Sequence, residues 1–400
     1  METLSRDLNT RYGTAQELRD LCRDLKQAGI APMADIVINH RCADTQDENG
    51  NWRIFSNHTF PETPEEDGLN FDKTWGPWAI VNNDPNFQGE GNADTGDTFA
   101  AAPDLDHANP RVREELTAWL IWLKNHVGFV GWRFDFAKGY GAQYAKEYAA
   151  NSVGLQAMNV AEYWPEAGWE EDGSLKVNQD PMRQAICNWL DKADGSMAVF
   201  DFATKAVLQE AVAKKEYWRL ADKNNKPPGL IGWWPERSVT FLDNHDTGGS
   251  GFKASSADGR MKDGSEGSYG QGHWRFPPEH RMVGYAYILS HPGIPCLFWP
   301  HAVHMHEGRQ SCGFNGALSE EISILSHVRR AAGVQADSHV DIKLAENELY
   351  VAHVKGLKAE LIVKLGPRYR MPQELRPAED EGWEIAASGK DYAIWWRANE

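Results

Sequence analysis

Short apolar runs alternate with amphipathic helical patterns from about residue 15 to residue 335. Helical patterns over 14–28 and 111–126 lead into the apolar runs APMADIVINH and FVGWRFDF. Four more such runs follow, separated by helical stretches such as 205–220 and 278–289: AMNVAEYW, MAVFDFAT, SVTFLDNHD and GIPCLFWPH. This alternation is typical of a parallel α/β architecture. It predicts six strands, whereas a closed barrel of this kind has eight, so two strands are expected to be absent.

Three regions depart from this alternation. The stretch between His40 and Asn109 is rich in Asp, Asn, Gly and Pro, and a loop of this length is usually functional or forms a small subdomain. After Gly333, the runs ELYVAHVKG, AELIVKLGP, WEIAASG and DYAIWWRA predict an antiparallel sheet. A Gly- and Ser-rich segment, 248–272, predicts a flexible insertion. We therefore expect three domains: an incomplete barrel (domain A, 1–40 and 109–335), a loop subdomain (domain B, 41–108) and a C-terminal β-sheet domain (domain C, 336–400).

Composition narrows the range of partners. The formal net charge of −17 would repel phosphate backbones and anionic membrane surfaces, so neither nucleic acid nor a membrane is an expected partner. The chain also has 17 Trp, and indole faces commonly bind the apolar faces of sugars, although Trp also fills ordinary cores. The first residues, METLSRDLNTRYG, lack the apolar core of a secretory signal, and no run approaches the roughly 20 apolar residues of a membrane span. The sequence does not decide whether the protein is located in the plastid, located in the cytoplasm or secreted.

Cysteine and histidine spacing indicates no zinc site or disulfide framework. The five cysteines are scattered without a CxxC pair, and we expect mostly buried thiols. They are Cys22, Cys42, Cys187, Cys296 and Cys312. The group His301, His304 and His306 fits no standard zinc spacing, so these residues are interpreted as loop residues.

Candidate chemistry begins in the segment GWRFDFAKGY. Period-2 alternation sends Trp132, Phe134 and Phe136 to one face of the predicted strand and Arg133 and Asp135 to the other. In a barrel the apolar face packs on helices, so the charged pair would point inward near the C-terminal mouth, where such folds place their active sites. A buried structural salt bridge is the alternative interpretation.

Two more acids follow apolar strands. Glu162 lies near the end of AMNVAEYW, and Asp246 lies near the end of SVTFLDNHD. Together with Asp135 they would form three carboxylates at neighbouring strand ends. Cleavage of a glycosidic bond needs one ionised carboxylate and one protonated acid on either side of that bond. A lone Asp in such a position would be interpreted as a helix cap.

The segments DIVINH, GWRFDFAKGY, VAEYW and FLDNHD occur in an order and spacing that resemble the α-amylase superfamily, glycoside hydrolase family 13. Phrases such as YGTAQELRDLC, IGWWPERSVTFLDNHDTG and IVKLGPRY resemble the plant and green-algal α-amylases in particular. The resemblance implies a (β/α)8 TIM barrel with a long loop subdomain after the third strand and a C-terminal antiparallel sheet. Because such chains normally begin with two further strands and a helix, an N-terminally truncated barrel is expected.

The resemblance also implies the roles of the candidate residues. Asp135 would be the nucleophile, Glu162 the general acid and base, and Asp246 a stabiliser of the distorted sugar at the transition state. Substrate contacts are implied for seven further residues: Arg133, His40, His245, Lys138, Trp164, Trp233 and Trp234. The two adjacent Trp residues would form a starch-granule platform outside the cleft. Without the surrounding motifs, each His would be interpreted as a core residue. For the adjacent Trp residues, the alternative interpretation is that one or both belong to the core.

A calcium site is the cofactor that the resemblance implies. Its ligands would be Asn39, Asp104, the backbone carbonyl of Gly139 and a further acid, Asp94. Ca²⁺ takes about six to eight oxygen ligands, and this set supplies only oxygen. A solvated loop residue is the alternative for Asp94. Thr98 stands where plant relatives usually have Asp, which argues against the additional calcium ions that those relatives bind.

The expected activity is endo-hydrolysis of α-1,4-glucosidic bonds in starch and related α-glucans, by a monomer with retention of anomeric configuration. Two alternatives stay open. The truncated chain could be an inactive carbohydrate-binding relative, since one barrel wall would be missing. It could also be a transglycosylase, because hydrolases and transferases of this superfamily share the four motifs.

Overall fold

A computed structural model describes residues 8–10, 12–55, 74–247, 274–302 and 318–399 of the chain. The chain divides into two compact units. The first unit contains Met1–Pro165 and Ile186–Val199, and the second contains Glu166–Ala185 and Phe200–Glu400. The predicted insertion at 248–272, together with Cys312, His304 and His306, lies outside the described residues. Within them, no helix has both the length and the apolar character needed to cross a membrane.

The first unit contains four short parallel strands in the order β1-β4-β5-β6. They are β1 (Met33–Ile36), β4 (Gly131–Phe134), β5 (Asn159–Ala161) and β6 (Ala198–Phe200). A small antiparallel pair, β2 (Thr45–Gln46) and β3 (Trp52–Ile54), lies between β1 and β4 in sequence. The pairing of β1 with β4 puts Asp35 opposite Arg133, and Phe134 of β4 is opposite Ala161 of β5. Parallel pairing therefore aligns the carboxyl ends of β4 and β5.

Two of the four helices in this part of the sequence have identifiable start signals. The four helices are α1 (Ala15–Gln27), α2 (Pro110–Trp122), α3 (Ala142–Asn151) and α4 (Asp180–Lys192), with a π-helix at Leu123–Val127 directly after α2. A capping box starts α1: Thr14 Oγ1 accepts from the Glu17 amide at 3.2 Å, and the Glu17 carboxylate accepts from the Thr14 amide at 2.7 Å. Asn109 caps α2, with Pro at the first helical position. The predicted helix over 14–28 thus differs from α1 by one residue at each end.

The long loop between β1 and α2 has a core of its own in its described part. Phe55 and Trp75 are fully buried and hydrogen-bond to each other's backbone at 2.9 and 3.0 Å. The guanidinium of Arg41 lies 5.1 Å from the Phe55 ring and 5.3 Å from the Trp75 ring. This stretch is therefore packed, although it has little regular secondary structure.

The second unit contains the remaining two parallel strands, β7 (Ser238–Thr240) and β8 (Ile294–Pro295), which pair with each other. Its helices are α5 (Phe202–Lys214), α6 (Arg281–Ser290), α7 (Trp299–Ala302) and α8 (Ser319–Ala332), with 3-10 turns at Tyr217–Leu220 and Pro278–His280. The predicted strand GIPCLFWPH is paired only at Ile294 and Pro295. Its last residues form α7 instead, where Pro300 is at the second helical position and suits a helix start.

A five-stranded antiparallel sheet completes the second unit, in the order β12-β13-β11-β10-β9. Its strands are β9 (His339–Glu346), β10 (Leu349–Lys355), β11 (Ala359–Leu365), β12 (Glu384–Gly389) and β13 (Tyr392–Ala398). Buried apolar side chains of α5, α6 and α8 form one core with those of this sheet. The alternating runs predicted β10 to β13. They did not predict β9, which buries only Ile342 and so has a weak apolar pattern.

The cysteine prediction was wrong in one respect. Cys22 is a buried free thiol, as expected. Cys42 is exposed, however, and Cys187 and Cys296 are only partly buried. Residue type alone therefore does not determine the burial of these cysteines.

Candidate active site

Arg133 on β4 is the centre of a cluster of carboxylates in the first unit. Its Nη1 lies 2.6 Å from Asp35 Oδ1 and 2.5 Å from Asp135 Oδ1, and its Nη2 forms an ion pair with Glu162 Oε1. Arg133 and Glu162 are both buried. Burial alone would lower the pKa of Arg133, but the charges of Glu162, Asp35 and Asp135 outweigh it and raise the pKa. One guanidinium therefore compensates acids from three neighbouring strands.

The backbone fixes Asp135 and Glu162 at adjacent strand ends. The Asp135 amide donates to Ile36 O at 2.9 Å, and the Glu162 amide donates to Phe134 O at 2.9 Å, so both residues continue the parallel ladder by one step. The side chain of Asp135 is 20% exposed, whereas that of Glu162 is 7% exposed. The two acids thus lie side by side with different access to solvent.

The prediction that Phe136 shares a face with Trp132 was wrong. Phe136 adopts a left-handed conformation, φ 44° and ψ 44°, and so ends the alternation directly after Asp135. The Phe136 amide donates a hydrogen bond to Glu162 Oε2 at 3.3 Å. The Phe136 ring lies edge-on to His40, with 6.4 Å between the ring centroids. Trp132 instead donates through Nε1 to Ser152 just after α3. The strained turn therefore brings an aromatic ring to the charged side of the strand.

His40 lies beside this turn in an aromatic setting. It stacks on Phe99 with 3.8 Å between ring centroids and an interplanar angle of 10°. Burial lowers the pKa of His40 to about 4, although the charge of Asp135 acts in the opposite direction. The imidazole is therefore neutral at pH 7 and can both donate and accept hydrogen bonds.

Lys138 and Trp164 follow the two acids closely. Lys138 lies in the 3-10 turn Ala137–Gly139; its Nζ is 3.7 Å from Asp97 Oδ2 and 5.2 Å from the centre of the Phe136 ring. Trp164 lies two residues after Glu162 and is partly exposed. Both side chains therefore reach solvent on the carboxyl-end side of β4 and β5.

The four predicted calcium ligands also lie in the first unit. Asn39 is buried and donates through Nδ2 to Asp104 Oδ1 at 2.9 Å, while its Oδ1 has no hydrogen-bond partner among the described residues. A Cβ atom added to Gly139 would lie 2.1 Å from this Oδ1. Asp94 Oδ2 is a second buried oxygen without a hydrogen-bond partner in the described part of the chain. Unsatisfied buried oxygens of this kind call for a ligand.

Acidic residues are concentrated around these oxygens. Burial raises the pKa of Asp104 to about 7, and the charges of Asp94 and Asp84 act in the same direction. Burial likewise raises the pKa of Asp94. No three His, Cys, Asp or Glu side chains in the described ranges form a metal-binding group by themselves. The candidate set differs from such a group because it combines two carboxylates with an amide oxygen and a main-chain carbonyl.

The second unit holds the remaining predicted residues. His245 and Asp246 follow β7, and His245 Nε2 lies 3.3 Å from Asp246 Oδ2 with both side chains accessible to solvent. Trp233 is 40% exposed, and one face of its ring lies 3.9 Å from the guanidinium carbon of the buried Arg183. Trp234 is partly exposed. The alternative was that one or both of these Trp residues are core residues, and it is wrong for Trp233.

Comparison with models of known protein families shows which family the chain belongs to. Residues 5–251 match the model described as the alpha amylase catalytic domain, which is more than half of the chain. The chain belongs to the α-amylase family. Residues 331–396 match the α-amylase C-terminal β-sheet domain. The resemblance seen in the motifs is thus confirmed, and so is the fold class of an α-amylase barrel with a C-terminal antiparallel sheet.

Curated α-amylases from plants are similar over nearly the whole chain. Alpha-amylase 3, chloroplastic, of Arabidopsis thaliana is 38% identical over 97% of this chain, which spans 38% of that protein. Probable alpha-amylase 2 of the same plant is 38% identical over 97% of this chain, which spans 80% of that protein. Among solved structures, an Anoxybacillus α-amylase has a TM-score of 0.59 at 16% identity, covering 97% of this chain and 80% of that one. CldA, a cyclomaltodextrin glucanotransferase, has a TM-score of 0.60 at 16% identity, covering 97% and 79%.

The motifs did not point to every member of this candidate site. Asp35 contacts Arg133 as closely as Asp135 does, yet it was not predicted. Only the register between the strands could have pointed to it, because Asp35 lies opposite Arg133 once β1 and β4 pair in parallel. Phe99 was also missed, since only the fold of the loop brings it onto His40.

Proposed function

We propose that this chain hydrolyses internal α-1,4-glucosidic bonds in starch and related α-glucans by a retaining double displacement. The observation that carries the proposal is the ion-paired cluster in which Arg133 contacts both Asp135 and Glu162. Because one guanidinium touches both carboxylates, they are close together. This favours the separation of about 5–5.5 Å found in retaining glycosidases over the roughly 6.5–9.5 Å of inverting ones.

In the first step, the Asp135 carboxylate attacks the anomeric carbon while the glycosidic C–O bond breaks and Glu162 gives its proton to the leaving oxygen. In the second step, Glu162 takes a proton from water, the water oxygen bonds to the anomeric carbon, and the ester bond to Asp135 breaks. Arg133 holds the nucleophile ionised. The two inversions at one carbon give net retention.

The family resemblance implies roles for the other predicted residues. We assign Asp246 to sugar hydroxyls in the distorted transition state, and His40 and His245 to hydrogen bonds with the substrate. His40 suits this role because its buried imidazole is neutral and so can accept as well as donate. Lys138 and Trp164 are assigned to the leaving-group side, since both reach solvent beyond the strand ends.

The test is reducing-sugar release from soluble starch by the wild-type chain, Asp135→Asn and Glu162→Gln. Each substitution should lower kcat by at least about 1,000-fold, because each removes a group that bonds to the reacting atoms. Asp194→Asn, which changes an exposed acid paired with Lys146, is the matched control. Equal rates for the wild-type chain and Asp135→Asn would refute the proposal and favour an inactive binding protein. Lengthened or branched products would instead indicate glucosyl transfer.

We further propose one calcium site, formed by Asn39, Asp94, Asp104 and the carbonyl of Gly139. The unpartnered oxygens of Asn39 and Asp94 support it, as does the group of buried acids whose pKa values are raised. The ion, when bound, would neutralise these acids and tie the long loop to the turn after β4. These residues would then hold His40 and Phe99 at a fixed distance from Asp135.

The calcium proposal can be tested without an activity measurement. Thermal unfolding should move to a lower Tm when calcium is removed with a chelator, and Asn39→Leu should abolish that difference. Asn51→Leu, in the same loop but remote in sequence from the proposed ligands, serves as the control. An identical Tm with and without chelator would contradict the site.

We also propose that Trp233 and Trp234 form a platform that binds starch granules. The exposed face of Trp233 supports this, since a sugar ring can stack on it. The chain would then act on soluble or granular α-glucan, and no other partner is required.

A further inference from the structure

Asp243 is a buried acid for which the proposed chemistry has no use. It lies shortly after β7, is 2% exposed, and belongs to the motif FLDNHD that carries His245 and Asp246. Lys205 Nζ lies 3.5 Å from Asp243 Oδ1, and His301 Nε2 lies 3.5 Å from Asp243 Oδ2. A buried carboxylate is retained at high energetic cost unless neighbours compensate its charge. Lys205 compensates this charge, so the hydrogen bonds of Asp243 indicate what the carboxylate holds in place.

Lys205 and His301 hold this carboxylate from two sides. Lys205 on α5 is completely buried, and its Nζ donates to Leu242 O at 2.7 Å and to Trp274 O at 2.9 Å. His301 Nδ1 lies 2.8 Å from the hydroxyl of Tyr285 on α6. Asp243 thus contacts α5 through Lys205 and α7 through His301, and His301 in turn contacts α6 through Tyr285.

A chain of hydrogen bonds runs from Asp243 to Asp246. Asp243 Oδ1 accepts from Thr247 Oγ1 at 3.1 Å, and Thr247 Oγ1 accepts from the Asn244 amide at 3.0 Å. Asn244 Oδ1 in turn accepts from the amides of Asp246 at 3.0 Å and Thr247 at 2.9 Å. The short loop after β7 is therefore closed on itself, and its anchor is the buried carboxylate.

We infer that Asp243 and Thr247 are positioning residues that set the orientation of Asp246. The inference rests on the proposed hydrolysis, in which Asp246 acts on the sugar. Neither residue touches substrate; each acts through the backbone of the loop. A displacement of about 1 Å at such a group can lower the rate by about 100-fold.

The test compares Thr247→Val with Thr247→Ser. Valine has the shape of threonine without its hydroxyl, whereas serine keeps the hydroxyl and loses only a methyl group. We expect Thr247→Val to lower kcat by between about 10-fold and 100-fold, with KM within about 3-fold of wild type. Thr247→Ser should restore most of kcat. A purely structural role would instead make the two variants similar in kcat once the folded fraction is equal.

Amide hydrogen exchange over residues 244–247 tests the same inference independently of catalysis. Thr247→Val should lower the protection factors of these amides by at least about 10-fold, and Thr247→Ser should leave them unchanged. If the wild-type chain hydrolyses no glucan, the proposed function fails, and exchange alone decides on positioning. If Thr247→Val does not fold, Asn244→Ala replaces it, with the same expected loss. Wild-type protection and wild-type kcat in folded Thr247→Val, or in folded Asn244→Ala where that variant replaces it, would overturn the inference.

Discussion

Gly139 faces Asn39 so closely that a Cβ atom on the glycine would lie 2.1 Å from the Asn39 side-chain oxygen. The oxygen has no hydrogen-bond partner in the described part of the first unit. Only a residue without a side chain allows this approach. The contact therefore couples the turn after the proposed nucleophile to the end of β1.

Gly139→Ala should disrupt this approach and displace Asn39. We expect a loss of about 1–3 kcal/mol in the free energy of unfolding, typical of overpacking, and loss of most of the calcium-dependent gain in Tm. Thermal unfolding with and without chelator measures both effects. Gly76→Ala is the control, because its nearest contact would be an ordinary 3.5 Å from Trp78. If Gly139→Ala gained as much Tm from calcium as Gly76→Ala does, the proposed ligand set would be incorrect.

Acid should destabilise the chain through buried histidines such as His291. Burial lowers the pKa of His291 to about 3, whereas a histidine in the unfolded chain has a pKa of about 6.5. Between these values the unfolded state binds the extra proton. The stabilising contribution is therefore complete above pH 6.5 and falls by up to about 1.4 kcal/mol per pH unit as pH decreases toward 3.

Denaturant titrations at pH 7 and pH 5 measure this effect. His291→Gln removes the titrating group, so its free energy of unfolding should change less between the two pH values than that of the wild-type chain. His339→Gln, at an exposed position on β9, should show the wild-type change. If His291→Gln showed the same pH dependence of stability as the wild-type chain, His291 would be excluded as a cause of the acid destabilisation.

Much of the fold follows from local pattern. The alternation of apolar runs and helical patterns predicted the six parallel strands, and the Thr14–Glu17 capping box explains why α1 starts where the sequence indicates. Strand β8 was predicted too long, because apolar residues after Pro295 suit a buried helix as well as a strand. Periodicity alone cannot separate these two.

The candidate site was predictable only in part. Alternation along β4 predicted that Arg133 and Asp135 share a face, and the ion pair between them agrees. The same rule failed at Phe136, since a left-handed backbone angle leaves no trace in the apolar pattern. Asp35 required the register between two strands about 100 residues apart, which no local signal gives.

Asp201 should be a major determinant of stability in the second unit. This buried residue caps α5 and accepts five hydrogen bonds: from Thr204 N, Thr204 Oγ1, Leu230 N, Ile231 N and Ser238 Oγ. Asp201→Ala would leave several buried donors unpaired. We expect the free energy of unfolding to fall by about 3–5 kcal/mol, measured by denaturant titration.

An exposed helix cap provides the comparison for Asp201. Thr14 caps α1 through its contact with the Glu17 amide, and Thr14→Ala should lower the free energy of unfolding by only about 1 kcal/mol. The difference arises because water can replace the lost bond at an exposed cap. Equal losses for the two variants would mean that Asp201 acts only as a helix cap.

Starch-granule binding should depend on the support beneath Trp233. Arg183 lies 3.9 Å from the ring and is itself fixed by Asp180 at 3.0 Å and Asp222 at 3.2 Å, so the free face of the indole is held outward. Trp233→Ala should weaken binding to raw granules between about 2-fold and 10-fold, the equivalent of ~0.5–1.5 kcal/mol for one aromatic contact. Sedimentation with granules measures the bound fraction. Trp299→Ala removes another exposed indole, 69% accessible, and should bind as the wild-type chain does. If the two variants lost binding equally, general surface hydrophobicity rather than a specific platform would be responsible.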